Sequence, residues 1–176
     1  MEKNTIIFDL DGTLALVGKR VEKSMIPKKS SPDGEGLDWD IFFDGQNVLE
    51  LDEPNYPVIS MAQMYHEKGF NIVIFSGRND RSYNETRQWL EKYDVPYNLL
   101  VMRPDKFKND SWPIAFGNPA TQAMRFMPDE ILKKAMIDTF VDIDDVFMCV
   151  DDRQKVVDMW RDLGLTCFQV APGDFK

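Results

Sequence analysis

Three short apolar runs that each stop on a polar cluster constrain this chain more than any other feature. Thr5-Ile6-Ile7-Phe8 stops on Asp9, Phe70 to Phe75 on Ser76-Gly77-Arg78, and Val146 to Val150 on Asp151-Asp152-Arg153. Runs of this length and make-up read as buried strands. Tyr97 to Met102 and Leu165 to Val170 read as two more. Between them the apolar residues recur at helical spacing. Val58, Met61, Ala62 and Tyr65 precede a stop at Gly69, and residues 81–93 turn Trp89 and Leu90 inward. Ile131, Leu132, Ala135 and Met136 mark a helix over 129–139. Val156, Val157, Trp160 and Leu163 mark another that ends at Gly164.

Such alternation predicts βαβ units: an α/β, three-layer Rossmann-like parallel sheet with helices on both faces. Ligands of open parallel sheets bind beyond the carboxyl ends of the strands. All three polar clusters are therefore expected at one edge. The 176 residues suit a single domain spanning 1–176. Two stretches depart from the pattern. Residues 14–57 are rich in Gly, Pro, Lys and Asp and read as a cap- or lid-type insertion with short helices. Residues 103–128, with prolines at 104, 113, 119 and 128, read as a second inserted loop. Within the first lies an aromatic patch, Trp39, Phe42 and Phe43. It is either a packing cluster beneath the lid or a platform for a base.

The clusters carry the chemistry. Asp9 and Asp11 stand two apart at a strand end, where Gly12 permits a tight turn. Asp151-Asp152 is a second acidic pair; a helix N-cap would account for only one of its members. Carboxylates ~4 Å apart repel by about 4 kcal/mol at an effective dielectric of 20. Convergence therefore requires protonation or a hard cation. Oxygen-only donors without His or Cys favour Mg2+. Ser76, Gly77 and Arg78 together offer a hydroxyl, backbone N–H groups and a guanidinium fork to phosphate oxygens. Lys133 or Lys134 adds a cation from a helix that opens near Pro128-Asp129.

In that order, Asp9-Leu10-Asp11-Gly12-Thr13, Ser76-Gly77-Arg78, the helix lysine and Asp151-Asp152 resemble the four motifs of the haloacid dehalogenase superfamily. Closer still is a resemblance to the phosphatase half of phage-type polynucleotide kinase–phosphatases. It is carried by Ile7 to Ala15, Val101-Met102-Arg103-Pro104, Val150 to Arg161 and Gly164 to Phe175. The resemblance implies an Mg2+-dependent phosphatase with Asp9 as nucleophile and Asp11 as acid and then base. It implies Asp9, the Asp11 carbonyl and Asp151 as metal ligands, with Asp152 in support. Thr13, Arg20, Ser76, Gly77, Arg78 and the helix lysine would hold the phosphoryl group. The family's spacing from an acidic residue favours Lys133, four after Asp129, over Lys134. The implied substrate is a phosphorylated nucleotide or a nucleic-acid 3′ end. The alternatives are a nucleotidase or other small-molecule phosphatase, and a silent binding protein on the same fold.

Composition narrows the partners. A net charge of −9 argues against extensive tracking of a polyanion. Gly12 to Gly18-Lys19-Arg20 has one residue too many and lacks the Ser or Thr of a P-loop, so no kinase activity is expected in this chain. The N-terminus does not read as a signal peptide, and no apolar run approaches a membrane span, so the expected location is cytoplasmic. Cys149 and Cys167 read as buried thiols, and His66 as a surface or packing residue.

Overall fold

The computed structural model describes residues 2–105 and 122–173. Its core is a five-stranded sheet in the order β7-β6-β1-β8-β9, with every pairing parallel. These strands are β1 (Thr5–Phe8), β6 (Asn71–Asn79), β7 (Leu99–Arg103), β8 (Val146–Asp151) and β9 (Cys167–Gln169). Alternate side chains leave the sheet on opposite faces. Ile6, Phe8, Ile72, Ile74, Met148 and Val150 pack with α4 (Tyr56–Glu67) and α5 (Tyr83–Lys92). Ile7, Val73, Phe75, Val101 and Cys149 pack with α7 (Asp129–Phe140) and α8 (Gln154–Asp162). Helices thus cover both faces, which is why the central strands read as unbroken apolar runs. The α/β layering anticipated from the strand–helix alternation is the one observed.

Several strands have different limits from those expected, β6 and β9 among them. The sequence suggests that the second core strand stops before Ser76, yet β6 runs on through Gly77 and Arg78 to Asn79. Ser76 pairs with Met102 and Asn79 with Arg103, with a register shift between them. The polar residues stay within the strand because β7 pairs on either side of that shift. The last strand is shorter than expected, holding only Cys167–Gln169.

After β1 the chain makes a knot of hydrogen bonds: the Leu10 carbonyl accepts from the amides of Thr13, Leu14 and Ala15. Gly12 sits at φ +83°, and a Cβ there would run into the Asp152 carboxylate. Two demands, a left-handed backbone and a close approach, thus call for glycine.

The excursion that follows leaves and returns at one point. β2 (Ala15–Leu16) pairs antiparallel with β5 (Glu53–Pro54) and closes its base. Between them lie α1 (Gly18–Ser24), a hairpin of β3 (Met25–Pro27) and β4 (Glu35–Leu37), then α2 (Trp39–Phe42) and α3 (Gly45–Leu51). Asp38 caps α2 by accepting from the Asp40 and Ile41 amides, and Asp44 caps α3. α6 (Gln122–Arg125) precedes α7. Of the second expected insertion, residues 106–121 lie outside the described residues. No described helix is long and apolar enough to cross a membrane. Cys149 and Cys167 are buried, free and in register across β8 and β9.

Candidate active site

β1 and β8 lie side by side, so Asp9 and the pair Asp151-Asp152 emerge together at their carboxyl ends. One oxygen from each of Asp9, Asp151 and Asp152 lies within 4.8 Å of the others, and all three residues are buried. Asp9 is held at both oxygens: Oδ2 accepts from Thr13 Oγ1 at 3.0 Å and Oδ1 from Lys133 Nζ at 2.6 Å. Lys133 also donates to Asp151 Oδ2 at 3.0 Å. Lys134, on the neighbouring face of α7, pairs with Asp138 at the surface. Of the two lysines, Lys133 is the one that points into the site.

Burial and the nearby Asp9 push Asp151 up to about 6 and Asp152 up to about 9. Burial alone would lower Lys133; Asp151 and Asp9 outweigh it and hold the ammonium well above the usual range. One cation facing three carboxylates leaves the cluster short of positive charge. The donors are all oxygen, which suits a hard divalent cation. Neither aspartate caps α8, whose N-cap is Arg153. Asp151 Oδ1 instead accepts from the Asp152 amide at 2.9 Å and the Arg153 amide at 3.4 Å.

Asp11 points away from this cluster. Its Oδ1 accepts from Arg20 Nη2 at 2.7 Å and from Arg78 Nη2. Burial would raise this carboxyl, but Arg20 and Arg78 together hold it at about 2. Asp52 stands behind both arginines. Its Oδ1 accepts from Arg20 Nε at 2.8 Å, and its Oδ2 from Arg20 Nη2 and Arg78 Nη2, each at 3.0 Å. Arg20 Nη1 donates to the Phe42 carbonyl at 2.9 Å, and Arg78 Nη1 to Thr86 Oγ1 at 3.0 Å. Arg78 Nε is buried without a partner among the described residues.

A cleft of about 510 Å³ opens over the site. Asp9, Asp11, Gly77, Arg78, Lys133, Asp151 and Asp152 line it. Thr13, Arg20 and Ser76, also expected to meet a phosphate, are not among its lining residues and are buried behind it. Thr13 steadies Asp9, Arg20 bridges Asp52 to Asp11, and Ser76 Oγ accepts from the Arg78 amide at 3.0 Å. All ten expected site residues thus gather at the sheet edge, but on two levels.

Three residues to which sequence reasoning gave no chemical role also belong here. Asp52, behind the two arginines, is the first. Arg103 donates to the carbonyls of Gly77, Met124, Arg125 and Met127 and to Asp129 Oδ1 at 2.6 Å. Asp129 accepts a further bond from Arg153 at 2.9 Å. Arg103 and Asp129 thereby pin the start of α7, and with it Lys133, to the end of β6. Arg103 stood in view within Val101-Met102-Arg103-Pro104; Asp52 sits in an acidic stretch that gives no signal.

A parallel sheet carrying Asp9, Asp11, Lys133 and the Asp151-Asp152 pair at its carboxyl edge defines a phosphatase of the haloacid dehalogenase class. A haloacid dehalogenase family enzyme of Bacteroides thetaiotaomicron, solved with magnesium and inorganic phosphate, shares the fold: TM-score 0.52, 14% identity, covering 98% of this chain and 96% of that one. Residues 41–115 and 116–175 match the model of the polynucleotide kinase PNKP phosphatase domain, and the chain belongs to that family. A chain of the solved Pnkp1/Rnl/Hen1 complex is 30% identical, with TM-score 0.68 over 98% of this chain and 48% of that one. A protein of Autographa californica nuclear polyhedrosis virus, named as a bifunctional polynucleotide kinase/RNA ligase, is 28% identical over 170 residues. That match spans 94% of this chain but 19% of the viral protein. The chain thus spans about half of one relative and a fifth of the other.

Proposed function

We propose that this chain hydrolyses the terminal 3′-phosphate of a nucleic-acid end through a phosphoryl group carried on Asp9. The observation that carries the reading is Asp9 itself: a buried carboxylate, fixed at both oxygens, at the floor of a nucleotide-sized cleft. Family membership supports the same reading.

Asp9 attacks phosphorus, forming a P–O bond as the bond to the leaving 3′-oxygen breaks. Asp9, Asp151 and Asp152 would hold Mg2+, with the Asp11 carbonyl as a further ligand. When bound, the ion supplies charge neutralisation for the phosphoryl oxygens. Lys133 and Arg78 supply cationic donors from the protein; Arg78 Nε, without a partner among the described residues, offers a further donor for a phosphoryl oxygen.

Asp11 is ionised as it stands, ready to accept a proton from the water that attacks the phospho-enzyme. To protonate the leaving oxygen first, it must regain a proton. An arriving dianion raises the affinity of Asp11 for a proton by drawing Arg78 toward itself and adding negative charge beside the carboxyl, and the proton comes from solvent. Arg20 and Asp52 act through Asp11 and Arg78 rather than on the phosphate. The excursion between β2 and β5 serves as the cap over the site. A cytoplasmic, reducing location accords with two buried, free thiols.

Turnover of a 3′-phosphorylated oligonucleotide against a panel of mononucleotides, with Mg2+, tests the reading. Hydrolysis at the oligonucleotide end that is lost in Asp9→Asn is the expected result. A thousandfold preference for mononucleotides overturns the nucleic-acid substrate, and equal rates for wild type and Asp9→Asn overturn the mechanism.

A further inference from the structure

We infer that Trp39 stacks on the terminal nucleobase, so that the site selects a nucleotide unit rather than any phosphomonoester. The inference rests on the phosphatase reading above and names what the cap adds to it.

Four features lead to Trp39. It sits at the first turn of α2, whose start is fixed by the Asp38 cap. Its indole is fixed as well: it stacks on Phe43 with centroids 5.5 Å apart and planes 21° from parallel, and meets Phe42 edge-on at 5.6 Å. Phe42 is in turn tied to the catalytic floor, since the Arg20 guanidinium lies 4.2 Å over its ring and bonds its carbonyl. Yet Trp39 remains 47% exposed and lines the cleft that holds Asp9.

A packing cluster alone accounts for buried Phe42 but not for a large, oriented indole left open inside the substrate cleft. A second exposed ring, Phe126 just after α6, lines the same cleft and is 76% exposed. A cleft of about 510 Å³ leaves room beyond a phosphoryl group for a sugar and a base. Every base has a π-face, so an aromatic wall grips any base without reading its sequence. Arg81 lies beside the platform, its Nη1 bonded to Asp40 Oδ1 at 2.8 Å.

The test compares kcat/KM for a deoxynucleoside 3′-monophosphate with that for the same sugar 3-phosphate lacking its base. Wild type is expected to prefer the nucleotide by about 10-fold or more, the scale of one base–aromatic stack. Trp39→Ala should bring the ratio toward unity, and Trp39→Tyr, which keeps a ring, should retain most of it. A wild-type ratio near unity overturns the inference, whatever the variants do. So does a preference that survives Trp39→Ala. If neither compound nor a 3′-phosphorylated oligonucleotide is turned over in an Asp9-dependent way, the phosphatase reading itself has failed. Equal turnover of the nucleotide and the base-free sugar phosphate leaves that reading standing and removes only the base site.

Discussion

Asp52→Asn should destabilise the protein by about 3–5 kcal/mol, the cost of breaking a buried ion pair from one side. Arg20, Arg78 and Asp52 have fully buried side chains, and Asp11 is 12% exposed. The four charges sum to zero. Asparagine keeps the shape but removes one negative charge, leaving two guanidiniums against Asp11 alone. Asp52 also accepts two bonds from Arg20, at 2.8 and 3.0 Å, and asparagine must turn its NH2 group toward a donor. With a slope of about 2 kcal/mol/M, the urea midpoint should fall by about 2 M. The pair variant Arg20→Met with Asp52→Leu leaves a neutral Arg78–Asp11 pair. It should cost less than Asp52→Asn does alone. A midpoint change under ~0.5 M for Asp52→Asn, or simple additivity of the two single losses, would refute the reasoning.

Asp11→Asn should slow turnover at least ~10²-fold in steady-state assays, and a loss under threefold would remove Asp11 from proton transfer. Asp151 and Asp152 have folded pKa values of about 6 and about 9 against an ordinary 3.8. The metal-free native state therefore holds protons that the unfolded chain releases, and its stability falls as pH rises from about 4 toward 9. Mg2+ displaces those protons, so its stabilising effect should grow over the same window; melting curves with EDTA and with Mg2+ that stay parallel across pH would contradict this. Lys133→Met should abolish turnover and lower metal-free stability by leaving Asp9 and Asp151 without their cation, whereas Lys134→Met should change either by little. Equal effects in both assays would refute the placement of Lys133.

How far the sequence carries is decided by what hydropathy can register. The strands were legible because burial on both faces demands unbroken apolar runs, as in Ile72-Val73-Ile74. Asp9 and Asp151-Asp152 were legible because each follows such a run directly, and adjacent parallel strands bring strand ends together. The end of β6 was not, because Ser76, Gly77 and Arg78 look like a turn until β7 pairs with Ser76 and Asn79 on either side of a register shift. Nor was the division of the site into two levels. Arg20 and Arg78 look alike as cationic side chains, and Asp52 and the Phe42 carbonyl, 32 and 22 residues from Arg20, together place Arg20 behind the cleft. Contacts of that range are set by the cap's path, which no local pattern encodes.

The proposed chemistry turns on Asp9 taking the phosphoryl group. Enzyme quenched during turnover and treated with borohydride, which reduces an acyl phosphate to an alcohol, tests this directly by peptide mass analysis. Homoserine at position 9 in wild type, and none anywhere in Asp9→Asn, is the predicted result. Active enzyme with no reduced residue at position 9, or with the modification on another carboxylate, would contradict it.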